Sequence, residues 1–212
     1  MELICVRHGR TAWNADRRFQ GQTDIPLDDE GLLQAQALAA HLRAEHFDHA
    51  FTSDLMRART TAEAIYEGRD GELHVTPELR EMHFGKWEGL TWDEIVARWP
   101  ELDVKNEKVP MHYTAEGGES WDALCERVEV VLRRITSTMA PDDRTLLVCH
   151  AGVLHGIVRV LSAHAAPGTA PAATSVRFSP CGILRARGSF AAGWELTAIN
   201  ETADAKPATR TA

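Results

Sequence analysis

Residues Met1–Asn14 read MELICVRHGRTAWN: a short apolar run, Leu3, Ile4, Cys5 and Val6, that breaks off into Arg7, His8, Gly9, Arg10, Thr11 and then Asn14. A brief apolar run bounded by a turn is the pattern of a buried strand of an open α/β sheet, and such sheets bind ligands in the crevice beyond their carboxyl ends. This strand delivers a cation, an imidazole and a glycine to that place. Gly9 lets the backbone approach a ligand, Arg7 offers a fork of donors suited to phosphate or carboxylate, and His8 can serve as nucleophile, base or ligand near neutral pH.

One Arg-His pair at a strand end is commonly a surface feature, because strand ends lie near solvent. The setting recurs, however. Thr145–Cys149 (TLLVC) is a second apolar run, and it leads into His150, Ala151 and Gly152 before an apolar helical pattern starts at Val153. Phe51–Arg59 (FTSDLMRAR) reads as a strand end, a polar turn that can cap a helix through Ser53 or Asp54, and a helix start carrying Arg57 and Arg59. Arginines there oppose the preference of a helix amino terminus for anions, a conflict that an anionic ligand would remove. Two solvated arginines on an exposed face are the alternative. Leu79–Gly89 (LREMHFGKWEG) sets Glu81 among Met82, Phe84 and Trp87. Apolar surroundings disfavour an ionised carboxyl, which suits a proton donor; Glu88 is the other candidate for that role.

Strands are expected at 2–7, 48–52, 73–76 and 145–149, with weaker ones at 175–179, 182–187 and 194–199. Helices fit at 30–45, 54–67, 92–98 (opened by a capping box of Thr91 and Glu94), 120–139 and 152–162. The helix at 120–139 is the clearest, since Trp121, Leu124, Cys125, Val128, Val131, Leu132 and Ile135 recur at helical spacing as a core stripe. This alternation predicts an α/β fold, a three-layer α/β/α sandwich with a mostly parallel central sheet and a hairpin at one edge. A single domain over 1–200 is expected, with a Pro-containing loop at 163–174, a lid at 99–118 and a disordered tail at 201–212.

Taken together, RHG at 7–9 with Thr11 and Asn14, SDLMRARTTAEAI at 53–65, ELREMHFGKWEGL at 78–90, GGES at 117–120 and CHAGV at 149–153 resemble the histidine phosphatase superfamily, the phosphoglycerate mutase-like proteins. The likeness is to its phosphatase branch, of the alpha-ribazole and broad-specificity phosphatase kind, and it runs from about Met1 to about Leu161. It implies the same architecture with one antiparallel strand. It implies that His8 is the nucleophile that becomes phosphohistidine, that Arg7, Arg57 and His150 surround the phosphoryl group, and that Glu81 gives a proton to the leaving oxygen. Asn14, Gln20 and Gly21 then fall in the substrate pocket, with Arg10, Thr11, Ala151 and Gly152 beside them. Relatives often carry Glu or Gln in place of Arg10, and Arg in place of His155. Mutases of the family usually have a longer segment between Leu90 and Glu119, Ser in place of Thr11 and Asn in place of Ala151.

With 212 residues, 44% of them hydrophobic, the chain suits one well-packed domain. A net charge of -8 offers no basic field for nucleic acid, so an anionic substrate must be drawn by a local cluster of Arg7, Arg10 and Arg57. Cys5, Cys125, Cys149 and Cys181 form no Cys-x-x-Cys pair, which fits reduced thiols in a cytoplasmic protein. Cys149 and His150 do not act as thiol and base, because adjacent strand residues point to opposite faces. The chain enters a strand almost at once, so no signal peptide is expected, and no apolar run approaches the ~20 residues that span a bilayer. The ten histidines show no metal-ligand spacing, and neither metal nor cofactor is expected. The expected partner is a small phosphorylated metabolite, with the protein a monomer or homodimer. Three functions are weighed: a metal-independent phosphomonoesterase, a phosphoglycerate mutase, and a binding protein that has lost the chemistry. The complete set of His8, Arg7, Arg57, Glu81 and His150 argues against the last.

Overall fold

Along β1 (Glu2–Arg7), Leu3 and Cys5 pack to one side of the sheet and Ile4 and Val6 to the other, all four without exposure. A pleated strand turns successive side chains to opposite faces, so a strand covered on both faces must be apolar throughout. The computed structural model, which describes residues 1–102, 113–166, 168–169 and 176–203, shows that cover. Beside Ile4 and Val6 lie Leu38 of α2 (Asp29–His41) and Ala58, Ala62 and Ile65 of α3 (Met56–Tyr66). Against Leu3 and Cys5 lie α5 (Trp121–Thr136) and α6 (Ala151–Ala163). Leu124, Val128, Val131, Leu132 and Ile135 form the buried stripe of α5, and the Ser120 hydroxyl caps it by accepting from the Ala123 N–H. Each such Leu or Val stabilises the fold by about 1.5–3 kcal/mol relative to exposure.

The sheet order is β3 (Leu73–Thr76), β2 (His49–Ser53), β4 (Arg144–Cys149), β1, β5 (Ile183–Ser189), β6 (Gly193–Glu201). β5 pairs antiparallel with both β1 and β6, so it alone runs against the other strands. The three-layer sandwich and the edge hairpin are therefore as expected. Two short α-helices remain, α1 (Ala12–Ala15) and α4 (Trp92–Arg98), which starts at the expected capping box of Thr91 and Glu94, and single 3-10 turns lie at Pro77–Leu79, Gly85–Trp87 and Pro100–Leu102. Trp87, Ile95, Leu102 and Ala115 form a separate apolar cluster with Phe19, Phe84 and Trp92 around it.

Several boundaries differ from expectation, each where a partner distant in the chain claims a backbone group or a side chain. No strand forms at 176–179: the Phe178 carbonyl accepts from Arg7 Nη1 at 2.7 Å and the Ser179 N–H donates to Asn200 Oδ1 at 2.7 Å, so neither is free for a ladder. Neither Ser53 nor Asp54 caps α3. Its N-cap is Leu55, Asp54 is forked by Arg80 at 2.8 and 2.6 Å, and the Met56 N–H donates to Asp24 Oδ1 at 2.7 Å. α2 stops at His41, where Arg69 takes the carbonyls of Leu42 and Glu45. Glu201 closes β6 and accepts from Arg185 Nε at 2.9 Å, so it belongs to the sheet and not to a tail. The expected tail from residue 204, residues 103–112 of the expected lid, and residues 167 and 170–175 of the Pro-containing loop lie outside the described residues.

The four cysteines form no disulfide, and burial raises the Cys5 thiol to about 12. Among the described residues no helix is long and apolar enough to cross a membrane.

Candidate active site

Parallel pairing of β1 with β4 sets Arg7 opposite Cys149, so the next residue of each strand emerges at the same edge. The His8 N–H donates to the Cys149 carbonyl at 3.0 Å, and the rings of His8 and His150 come to 5.1 Å between centroids. His8 is 2% exposed. Its Nδ1 lies 2.7 Å from the Gly9 carbonyl, which can only accept, so Nδ1 carries the proton and Nε2 the lone pair. Burial, with Arg7 and Arg57 close by, holds the His8 imidazole well below its ordinary pKa of 6.5, and it is neutral. Burial does the same to His150, again with Arg57 among the causes.

Three buried nitrogens around this pair have no partner among the described residues: Arg7 Nε, Arg57 Nε and His150 Nδ1. Other atoms of these groups are held. Arg57 Nη1 and Nη2 donate to the carbonyls of Thr23 and Gly21 at 2.9 and 2.7 Å, and Arg7 Nη1 to that of Phe178. His150 Nε2 lies 2.9 Å from Ser53 Oγ; a hydroxyl that donates there leaves the ring proton on Nδ1. Burial lowers Arg57 to about 10 and also lowers Arg7, yet both stay cationic at neutral pH. A buried donor without a partner costs about 1–3 kcal/mol, so this arrangement favours an anion rich in acceptors. Arg59 takes the other path foreseen for the two arginines, lying exposed and paired with Glu63.

Glu81 is buried, with Oε1 accepting from the Met82 N–H at 2.8 Å and Oε2 from the Gly152 N–H at 3.1 Å in the first turn of α6. Glu88 is occupied otherwise. Its oxygens accept from the N–H groups of Gln22, Thr23 and Phe84 and from the Thr23 hydroxyl, which shapes the loop whose carbonyls hold Arg57.

A cavity of about 440 Å³ opens over Arg7, His8, Arg57 and Glu81, and Asn14, Gln20, Gly21, Ala151 and Gly152 line it. Arg10 and Thr11 do not. Arg10 turns to Asp28, at 2.8 Å, and to Glu30, while the buried Thr11 hydroxyl caps α1 by accepting from the Asn14 N–H at 3.1 Å. The expected clustering of Arg10 with Arg7 and Arg57 is thus absent, because carboxylates at the start of α2 claim its guanidinium. Among the described residues no group of three or more His, Cys, Asp or Glu is placed to hold a metal ion.

Sequence reasoning missed part of the wall. Trp13 and Phe19 also line the cavity, as do Trp121, read as core, Tyr113 of the lid expected at 99–118, and His155, noted only as a departure from the family. Apolar residues facing a cavity carry no local signature that separates them from core. It also assigned no role to Glu119, whose carboxylate is forked by Arg127 Nε and Nη2 at 3.0 and 2.8 Å. Arg127 Nη1 reaches the carbonyls of Glu78 and Arg80, and Glu119 Oε2 accepts from the His83 N–H, so the pair grips the chain on both sides of Glu81.

The model of the histidine phosphatase superfamily (branch 1) matches residues 3–201. An adenosylcobalamin/alpha-ribazole phosphatase of Salmonella typhimurium is 38% identical over 174 residues, covering 78% of this chain and 82% of that protein. A probable phosphoglycerate mutase of Photorhabdus laumondii is 37% identical over 172 residues, 78% of each chain. Among solved structures, a mycobacterial glucosyl-3-phosphoglycerate phosphatase complexed with VO3 matches with a TM-score of 0.82 at 28% identity, covering 95% of this chain and 99% of that one.

Proposed function

The chain belongs to the histidine phosphatase superfamily, and from that premise we propose that it is a metal-independent phosphomonoesterase that hydrolyses a small phosphorylated metabolite through a phosphohistidine on His8. The observation that carries this reading is the tautomer of His8: with Nδ1 tied to the Gly9 carbonyl, a neutral Nε2 lone pair sits beside Arg7, Arg57 and His150, each with an unpaired buried nitrogen.

Phosphoryl transfer needs positioning and neutralisation of charge on the equatorial oxygens, and two guanidiniums with a second imidazole supply both. In the first step His8 Nε2 bonds to phosphorus while the bond from phosphorus to the ester oxygen breaks. Glu81, carrying a proton, gives it to that oxygen, and the alcohol departs. In the second step the Glu81 carboxylate takes a proton from water as the water oxygen bonds to phosphorus. The phosphorus–nitrogen bond breaks, and phosphate leaves with His8 restored. Two departures from the mutase pattern support hydrolysis over return of the phosphoryl group: the Thr11 hydroxyl is used within α1, and Ala151 has no polar side chain.

The test is brief incubation with p-nitrophenyl phosphate followed by a quench. An acid-labile, base-stable phosphoryl adduct on the wild-type protein, absent from His8→Ala together with turnover, is the expected result. A His8→Ala protein that keeps more than about a few per cent of activity overturns the covalent route. Isomerisation of 3-phosphoglycerate, primed with 2,3-bisphosphoglycerate, that outruns phosphate release from every ester tried replaces it with a mutase.

A further inference from the structure

Away from His8 the cavity wall is built of rings. Trp87 stacks on Tyr113 at 5.9 Å and 12°, Phe19 meets Trp87 edge-on at 5.9 Å, and Phe84 meets Phe19 edge-on at 5.1 Å. Trp13 covers Gly89 so closely that an added Cβ there would stand 3.2 Å from its ring. The backbone carrying these rings is fixed. The Phe19 N–H donates to the Leu90 carbonyl at 2.9 Å, the Gly89 N–H to the Phe19 carbonyl at 2.8 Å, and Arg18 bridges the Gly89 carbonyl to Glu94. The Phe19 and Gly89 side of the wall is thus held by the fold itself.

Some polar groups of the same cavity are committed, although Arg17, Asn14, Gln20 and His155 line it too, and Gln20 Oε1 is a buried acceptor without a partner among the described residues. Glu119 is forked by Arg127, Glu81 holds two backbone N–H groups, and His83 Nδ1 donates to the Gly117 carbonyl at 2.7 Å. A flat apolar group seated against these rings loses only its contact with water, whereas hydroxyls placed on the same ring faces meet no acceptor there. From this geometry, and resting on the phosphatase reading above, we propose that the preferred substrates are phosphomonoesters whose alcohol carries a flat apolar ring, seated between Trp13 and the Phe19–Trp87–Tyr113 stack. A cavity of about 440 Å³ holds a phosphoryl group with such a ring.

Benzyl phosphate and glycerol 3-phosphate are both esters of primary alcohols, so their rates compare the leaving groups' fit more than their basicity. The expected kcat/KM ratio is about 100 in favour of benzyl phosphate. Trp13→Leu, which keeps apolar bulk and removes the ring face, lowers that ratio about 10-fold. Tyr113→Ser changes a residue 38% exposed, so folding is not at stake, and it lowers the ratio by about 3-fold. Equal rates on the two esters, or a ratio unmoved in both variants, overturns the proposal. Binding of benzylphosphonate against methylphosphonate, measured by calorimetry, separates it from the reading beneath it. Preferential binding without phosphate release from any ester supports the ring box and overturns the phosphatase; phosphate release with no preference in rate or binding overturns the box alone.

Discussion

Gly152→Ala moves the Glu81 carboxyl without removing it. A Cβ on Gly152 would stand 3.2 Å from Glu81 Cδ and nearer still to Oε1, while its next contact, Leu124 Cδ2 at 3.6 Å, is ordinary. Glu81 Oε1 is also tied to the Met82 N–H at 2.8 Å, so the carboxyl cannot swing aside freely. To reach normal separation it must retreat by about 1 Å. A displacement of that size costs about 100-fold in a step that depends on the group, or about 2.7 kcal/mol. The step in question is protonation of the leaving oxygen, so the loss falls on alkyl esters and spares p-nitrophenyl phosphate, whose phenolate leaves without help. Alanine is a better helix former than glycine by about 1 kcal/mol, which offsets part of the clash and keeps the melting temperature within a few degrees. The assay is kcat/KM on benzyl and p-nitrophenyl phosphate for wild type, Gly152→Ala, Glu81→Gln and the double variant. Once Glu81→Gln has removed the acid, Gly152→Ala should cost little more. Equal losses on both esters, or full additivity in the double variant, refute the assignment of the proton to Glu81.

Charge stabilisation by Arg7, Arg57 and His150 means that activity survives EDTA and that vanadate inhibits as a five-coordinate mimic; restoration of a chelated, inactive protein by one divalent ion would refute this. His8 and His150 both bind protons well below the ordinary 6.5, so the unfolded chain binds them more tightly and stability, full above pH 6.5, falls as pH drops below it. The urea midpoint should fall between about pH 7.5 and about pH 5.5 by the equivalent of about 2–3 kcal/mol, and an unchanged midpoint would contradict the burial of two neutral imidazoles. The lowered carboxylates, such as Glu45 and Asp54, add their loss only below their ordinary 4.5 and 3.8. Arg127→Met frees the chain beside Glu81, and the expected outcome is a loss on benzyl phosphate about 10-fold larger than on p-nitrophenyl phosphate. Identical losses would make Arg127 a matter of stability alone.

The central strands and the residues at their ends were legible because both signals are local. LICV and LLVC are apolar without interruption, as strands covered on both faces must be, and His150 follows the second directly while His8 follows the first after Arg7. Glu81 was legible from its apolar neighbours, and its contact with Gly152 could not have been read without the order of β3, β2 and β4 in the sheet. What failed were assignments decided by partners far along the chain. Arg10 sits three residues from Arg7, yet Asp28 and Glu30 direct it elsewhere. Val176 and Phe178 alternate with polar residues as a strand would, but Arg7 and Asn200 take the backbone groups that a ladder needs. The start of α3 is set by Asp24, a residue from another loop.

Arg7 is steered by the carbonyl of a residue 171 positions later. Strand β1 itself lies between β4 and β5, both distant in the chain. Contacts of such separation close late in folding, since the loop entropy must be overcome before they form. The anion cradle therefore depends on the segment that enters the β5–β6 hairpin, where Ser179 is tied to Asn200 of β6: with that segment undocked, His8 is present and the guanidinium beside it has lost its guide. Occupancy by phosphate or vanadate then acts as a clasp on that hairpin, binding only the docked form and stabilising it in proportion to the logarithm of ligand concentration.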